Sequence, residues 1–117
     1  MTTWVEQYFE AWAGKDPAKV GEFVTDDVDF EDTTMKHRMR NKRQFEKFVA
    51  GCFVQVPTMR YEVVDQQVLD NAYWIEWIMQ PMGLRGASVG RLRDGKIAYN
   101  RDYWDGASFT PGAGSNS

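Results

Sequence analysis

The 117-residue chain contains one cysteine and one histidine, which limits the chemistry that it can carry. Cys52 has no partner for an internal disulfide, and we expect it to act as a small apolar side chain on a helix face. His37 has neither a second histidine nor a cysteine at ligand spacing. We therefore predict no metal site and no cofactor, in a protein suited to a reducing cytoplasm.

Excess positive charge and long apolar runs are also missing. The formal net charge is −3 at pH 7 and the pI is near 5.1, whereas nucleic-acid affinity depends on clustered basic residues. No stretch approaches the roughly 18 apolar residues of a membrane-spanning helix, and the N-terminus has no signal-peptide pattern. We expect no nucleic acid and no membrane as partners, which leaves small molecules and proteins.

Apolar and aromatic residues are plentiful, at 43% and 15% of the chain, and suffice for the core of one domain. We expect this domain to span residues 1–105. Residues 106–117 are mostly glycine, serine, alanine and proline, and are predicted to form a flexible tail.

Three helices are predicted in the first half of the chain from capping residues and helical periodicity. The first extends from Thr3 to Gly14, the short second one from Asp16 to Val24, and the third from Asn41 to Pro57. The basic stretch from Lys36 to Arg43 lacks periodicity and is predicted to be a loop, either a solvated connection or an anion site.

Alternation of apolar and polar residues predicts strands in the remainder. They are Val28 to Thr33, Met59 to Val64, Tyr73 to Gln80, Ala87 to Arg93 and Lys96 to Asp105. The strand from Tyr73 to Gln80 has a rich apolar face and is expected to be central in the sheet. Asp94-Gly95 predicts a tight hairpin turn before the last strand.

Several polar side chains share faces with apolar ones. Asp32 lies on the face of Val28 and Phe30, so it is either at the wet end of its strand or a functional carboxylate with a raised pKa. Tyr8 lies within the apolar stripe of the first helix, so its hydroxyl reaches either the surface or a cavity.

The last strand carries two mixed faces. One holds Ala98, Asn100, Asp102 and Trp104, which predicts a cavity wall. The other holds Ile97, Tyr99 and Tyr103 around Arg101, and we expect this outer face to form a homodimer.

The order of two helices, a short strand, a third helix and a run of antiparallel strands predicts an α+β fold. Four segments carry a resemblance to a known family, namely Tyr8 to Asp16 with the short helix that follows, Thr25 to Asp32, Asn41 to Phe48, and Asp94 through Asp105. With them, the chain resembles the nuclear transport factor 2-like superfamily, particularly its SnoaL-like polyketide cyclase and ketosteroid isomerase branches. The resemblance covers residues from about Thr3 to Asp105. It implies a conical barrel, in which three helices cover a strongly curved, mainly antiparallel sheet around an internal cavity.

The resemblance also implies roles for individual residues. Asp32 matches the general base of ketosteroid isomerases, Tyr8 the tyrosine that stabilises the enolate oxygen, and Trp104 a cavity tryptophan. Ser88 occupies the position of their second oxyanion donor. The segment Arg101 to Asp105 is similar to the last strand of limonene epoxide hydrolases, in which the residue at the position of Asp102 is a catalytic carboxylate.

These observations lead us to expect an enzyme that moves a proton next to a carbonyl of a small apolar molecule, as an isomerase, aldol cyclase or dehydratase does. The expected catalytic residues are Asp32, Tyr8 and Asp102. The expected substrate contacts are Trp12, Phe30, Trp77, Ser88, Asn100 and Trp104. The alternatives are a ligand-binding or dimeric assembly module without turnover, and an epoxide hydrolase-like enzyme that uses Asp102.

Overall fold

The computed structural model describes residues 3–108, which form three helices, six strands and a terminal 3₁₀ turn. The helices are α1 (Trp4–Ala13), α2 (Pro17–Gly21) and α3 (Lys42–Gln55). The strands are β1 (Val24–Asp32), β2 (His37–Met39), β3 (Arg60–Val68), β4 (Ala72–Gln80), β5 (Leu84–Arg93) and β6 (Lys96–Trp104). Of the predicted flexible tail, Gly106–Ser108 forms the 3₁₀ turn, and the rest lies outside the described residues.

All six strands belong to one curved sheet with the order β2-β1-β6-β5-β4-β3. In this sheet of the described residues, β1 and β6 are parallel and every other neighbouring pair is antiparallel. The predicted α+β architecture is therefore confirmed. The core lies between the helices and the inner face of the sheet, where Val5, Val28 and Val49 are fully buried.

Local side-chain hydrogen bonds explain where the helices begin. Thr3 Oγ1 accepts the Glu6 backbone N–H at 3.2 Å, and Asn41 Oδ1 accepts that of Gln44 at 2.8 Å. Asp16 caps α2 in the same manner. None of these helices has the length and apolarity needed to cross a bilayer, within the part of the chain that the structure describes.

The second helix ends earlier than the spacing predicts. It stops at Gly21, and Val24 opens β1 by pairing with Ile97 of β6. Val20 and Val24 are both fully buried, so the apolar spacing is satisfied by a helix and a strand that meet at the core.

The prediction of a loop from Lys36 to Arg43 is wrong in its middle. His37–Met39 forms β2, in which Met39 pairs with Phe30 of β1 and is buried. The Arg38 guanidinium binds the Asp29 carboxylate of β1, with 2.6 Å between Nη2 and Oδ2. Three residues are too few to show a period of two, so the sequence pattern does not predict this strand.

Two further expectations for the sheet need correction. Strand β4 is interior but lies next to the edge strand β3, while β5 and β6 are at the centre. Ile97 is in the core rather than on the outer face, because a register shift between β5 and β6 interrupts the alternation after it. The predicted hairpin turn is confirmed, since Asp94 and Gly95 have φ angles of 53° and 78°.

Candidate functional site

A cavity of about 550 Å³ lies between α3, β2 and the inner face of the sheet. Most of its wall is apolar, with Phe48, Tyr61, Trp77 and Trp104 among the aromatic contributions. Five of the six methionines of the chain also line it, namely Met35, Met39, Met59, Met79 and Met82. Flexible thioether side chains allow such a wall to adjust to ligands of different shape.

Strand register brings the two carboxylates of the cavity together. Asp32 of β1 pairs in register with Asp102 of β6, and Asp102 pairs with Ser88 of β5. On the other side of Asp32, the pairing partner is His37 of β2. A row of four polar residues thus crosses the sheet, and the side chains of Asp32 and Asp102 both reach the cavity.

Asp32 is buried and held by N–H donors. The Trp104 indole Nε1 donates to Oδ1 at 2.9 Å and lies 3.1 Å from Oδ2, while the Met35 backbone N–H donates to Oδ1 at 3.0 Å. Burial raises the pKa of Asp32, and these donors partly oppose the increase because they stabilise the charged form.

Asp102 is enclosed more completely. Ser88 Oγ and Asn100 Nδ2 both donate to its Oδ1, at 2.6 and 2.7 Å. Burial raises the pKa of Asp102 to about 7, and the nearby charge of Asp32 acts in the same direction. The two donors act against the rise.

Two further side chains hold the donors in place. The Trp77 indole Nε1 donates to Ser88 Oγ at 2.9 Å, and the Tyr73 hydroxyl donates to Asn100 Oδ1 at 2.5 Å. These bonds fix the hydroxyl and the amide so that both point toward Asp102. The carboxylate is thereby preorganised through a network that spans three strands.

Glycines in β5 make room for this network. A Cβ at Gly90 would collide with the Tyr73 hydroxyl, which crosses that position to reach Asn100. A Cβ at Gly86 would lie 2.6 Å from the Trp77 ring and 2.7 Å from Cβ of Trp104. Larger residues in β5 would therefore displace the side chains that orient the site.

Some of the predicted site residues line the cavity, and the others are buried away from it. Asp32, Asp102, Trp77 and Trp104 line the cavity, while Ser88 and Asn100 are buried behind Asp102. Tyr8, Trp12 and Phe30 are buried in the aromatic core and are not among the lining residues.

Tyr8 is surrounded by rings, with centroids of Phe9, Trp12 and Phe23 at 5.0, 6.4 and 5.6 Å. Burial raises the pKa of its hydroxyl far above the usual range, and the charge of Asp102 adds to the effect. Tyr8 therefore stays protonated at any ordinary pH. Its assignment as an oxyanion donor remains a prediction.

Sequence reasoning missed Tyr61 and the contribution of α3. Tyr61 lines the cavity, and the charges of both Asp102 and Asp32 add to a pKa that burial raises well above the usual value. The alternation of Met59, Tyr61 and Val63 indicated the inward face on which Tyr61 lies. Within residues 3–108, no group of three or more His, Cys, Asp or Glu side chains is placed to hold a metal ion.

Comparisons with known proteins identify relatives by family and by fold. A family model described as a SnoaL-like domain matches residues 5–100. No curated protein matches the chain.

Among solved structures, the chain is similar to a hypothetical protein with a ketosteroid isomerase-like fold from Catenulispora acidiphila, which is in complex with trimethylamine. The TM-score is 0.81 and the sequence identity is 18%, and the alignment covers 89% of this chain and 86% of that one. A SnoaL-like protein of unknown function from Burkholderia thailandensis has a TM-score of 0.78 and 14% identity, over 88% and 92% of the two chains. An NTF2-like protein of unknown function from Mesorhizobium loti has a TM-score of 0.73 and 20% identity, over 87% and 88%.

Proposed function

The chain belongs to the SnoaL-like domain family, which includes isomerases and cyclases, and we propose that it is a small-molecule enzyme that transfers a proton next to a carbonyl. One observation carries the proposal. Two carboxylates, Asp32 and Asp102, line the same apolar cavity in unequal environments. Such a pair supplies a base and an acid at one pH.

Asp32 is the general base in this proposal. Its oxygens accept N–H groups from Trp104 and Met35, which stabilise the ionised form. Burial nonetheless raises its pKa, which strengthens a carboxylate as a proton acceptor. The proton leaves the carbon next to the substrate carbonyl and binds to Asp32, while the electron pair of the C–H bond moves toward the carbonyl oxygen.

Asp102 is the hydrogen-bond donor to that oxygen. Its Oδ1 accepts from Ser88 and Asn100, so a proton on the carboxyl belongs on Oδ2. With a pKa of about 7, a large fraction of Asp102 is protonated near neutral pH. A neutral carboxyl can donate to the developing oxyanion, the role expected of Tyr8 from the family resemblance.

Turnover of enones, β-keto compounds and epoxides by the purified protein tests this proposal. Asp32→Asn should lower the rate by about two to four orders of magnitude, the usual loss for a general base. Asp102→Asn keeps an N–H donor, so it should retain more activity and lose the decline in rate that the wild type shows above about pH 7. Asp70→Asn, at an exposed turn, is the matched control. Full activity of Asp32→Asn on the best substrate contradicts the proposal, and rapid epoxide opening that requires Asp102 favours the hydrolase alternative.

A second candidate is a binding module for a small amine. The similar protein from Catenulispora acidiphila is in complex with trimethylamine. Here, two carboxylates and the rings of Tyr61, Trp77 and Trp104 line one cavity, and aromatic faces and carboxylates attract ammonium groups. Calorimetric titration with trimethylamine hydrochloride separates the candidates, because binding that Asp32→Asn abolishes, without turnover of any substrate, favours the module.

We also propose that the protein forms a homodimer through the outer face of the sheet. Trp74, Val89 and Tyr103 are 37%, 38% and 52% exposed. Trp74 and Val89 pair across β4 and β5, and Tyr103 lies on the adjacent β6. An apolar patch on neighbouring strands is typical of a surface that a second copy covers.

A further inference from the structure

Exposed residues of α3 form part of the rim of the cavity, together with Met35, His37 and Arg38. Residues spaced three and four apart on this helix line the cavity, namely Gln44, Lys47, Phe48, Gly51, Cys52 and Gln55. Side chains at this spacing lie on one helical face. Gln44, Lys47, Gly51 and Gln55 are exposed, so the stripe is at once a cavity wall and a surface.

Gly51 leaves a gap in this wall. It lies in the interior of α3, where glycine is less favourable than alanine by roughly 0.5–1 kcal/mol. A Cβ at Gly51 would have no heavy atom within 4 Å, so packing does not require the glycine. Its φ angle is not positive, so the backbone does not require it either. The absent side chain leaves open space at this point of the rim, between Lys47 and Gln55, which lie one turn to either side.

Of the lysine and arginine residues that line the cavity within residues 3–108, Lys47 is the one without an ion pair. Arg38, which also lines the cavity, is bound to Asp29. In the same helix, Lys42 forms an ion pair with Asp26 at 3.5 Å. Within residues 3–108, the Lys47 ammonium has no salt bridge and no hydrogen bond, although Lys47 lines a largely apolar cavity.

We infer that the substrate is amphipathic, with an apolar body in the methionine-lined cavity and an anionic group at the rim, above Gly51, where Lys47 binds it. This inference rests on the proposed function, because it assigns the substrate class of the same cavity. The amides of Gln44 and Gln55 lie on the same stripe and supply neutral donors beside the ammonium. The carboxylates Asp32 and Asp102 lie on the sheet side, where they face the apolar body and its reacting carbon.

A pair of fluorescent probes tests the anionic subsite without turnover. The dye 8-anilinonaphthalene-1-sulfonate carries a sulfonate, and N-phenyl-1-naphthylamine has the same aromatic body without it. Lys47→Gln should weaken binding of the sulfonate dye about fivefold, as for a partly exposed ion pair, and leave the neutral dye unchanged. Lys42→Gln, which removes a paired cation from the same helix, should change neither dye. Raising the salt concentration should reduce the difference between the dyes in the wild type.

Gly51→Leu tests the opening itself. A leucine at an exposed helix position is compatible with folding, and its side chain would extend into the gap, so both dyes should bind more weakly. The inference is overturned if Lys47→Gln changes both dyes equally or neither, or if Gly51→Leu leaves both affinities unchanged.

The outcome is independent of catalysis. Discrimination between the dyes in a protein that turns over no substrate supports the subsite and contradicts the proposed enzyme. Loss of activity in Asp32→Asn without discrimination between the dyes supports the enzyme and overturns the anionic substrate.

Discussion

The protonation of Asp102 should make the stability of this protein depend on pH in an unusual direction. Its pKa is about 7 in the folded protein and would be about 3.9 in an unfolded chain. Between these values, the folded protein keeps a proton that the unfolded chain releases. The proton on Asp102 therefore stabilises the folded protein fully below about pH 3.9, and this stabilisation is lost as the pH rises through about 7.

The size of the effect follows from the shift. A difference of about three pKa units corresponds to about 4 kcal/mol, at 1.36 kcal/mol per unit. Solvent screening does not reduce it much, because Asp102 is only 8% exposed. Asp102→Asn removes the titration, while its Oδ1 can still accept the hydrogen bonds of Ser88 and Asn100.

Urea unfolding followed by tryptophan fluorescence measures this free energy in the wild type and in Asp102→Asn. At about pH 4 the two proteins should have similar stability, whereas at about pH 8 the variant should be more stable by about 3–4 kcal/mol. Asp32 also has a raised pKa and is present in both proteins, so the difference between them reports Asp102 together with its smaller coupling to Asp32. Asp70→Asn should follow the wild type. Parallel pH profiles for the wild type and Asp102→Asn would refute the burial argument.

Two other predictions concern glycine packing and assembly. Gly90→Ala should lower the free energy of unfolding by about 2–3 kcal/mol in urea melts, because the new methyl group displaces Tyr73 and breaks its hydrogen bond to Asn100. If the variant is as stable as the wild type, Tyr73 can reach Asn100 by another path. Tyr103→Glu should convert the proposed homodimer to a monomer in sedimentation experiments. Glu62→Ala, at an exposed position on the same face, is the control. A wild type that sediments as a monomer at micromolar concentration would exclude the dimer.

The fold was accessible to sequence analysis because its elements obey local rules. The capping residues Thr3, Asp16 and Asn41 mark helix starts at the positions observed. Asp94-Gly95 likewise places the last hairpin correctly. Strand β2 could not be predicted from the sequence, since its pairing with β1 is determined by tertiary contacts rather than by a pattern within three residues.

The site was accessible only in part. Alternation placed Asp32 and Asp102 on inward faces, and both line the cavity. Which residues hold Asp102 depends on the register of β4, β5 and β6, and nothing within one strand specifies that register. The gap at Gly51 was equally hidden, because a glycine in a helix shows its effect only when the neighbouring wall is known.

The parallel pairing of β1 with β6 has a consequence for biosynthesis. Asp32 and Trp104 are joined by a hydrogen bond although they are 72 residues apart in the chain. As the chain emerges from a ribosome, β3, β4 and β5 can pair in sequence, but β1 has only the three residues of β2 beside it until β6 appears. Strand β6, the last one within residues 3–108, therefore joins the two parts of the sheet and brings Asp32 and Asp102 together in the same step.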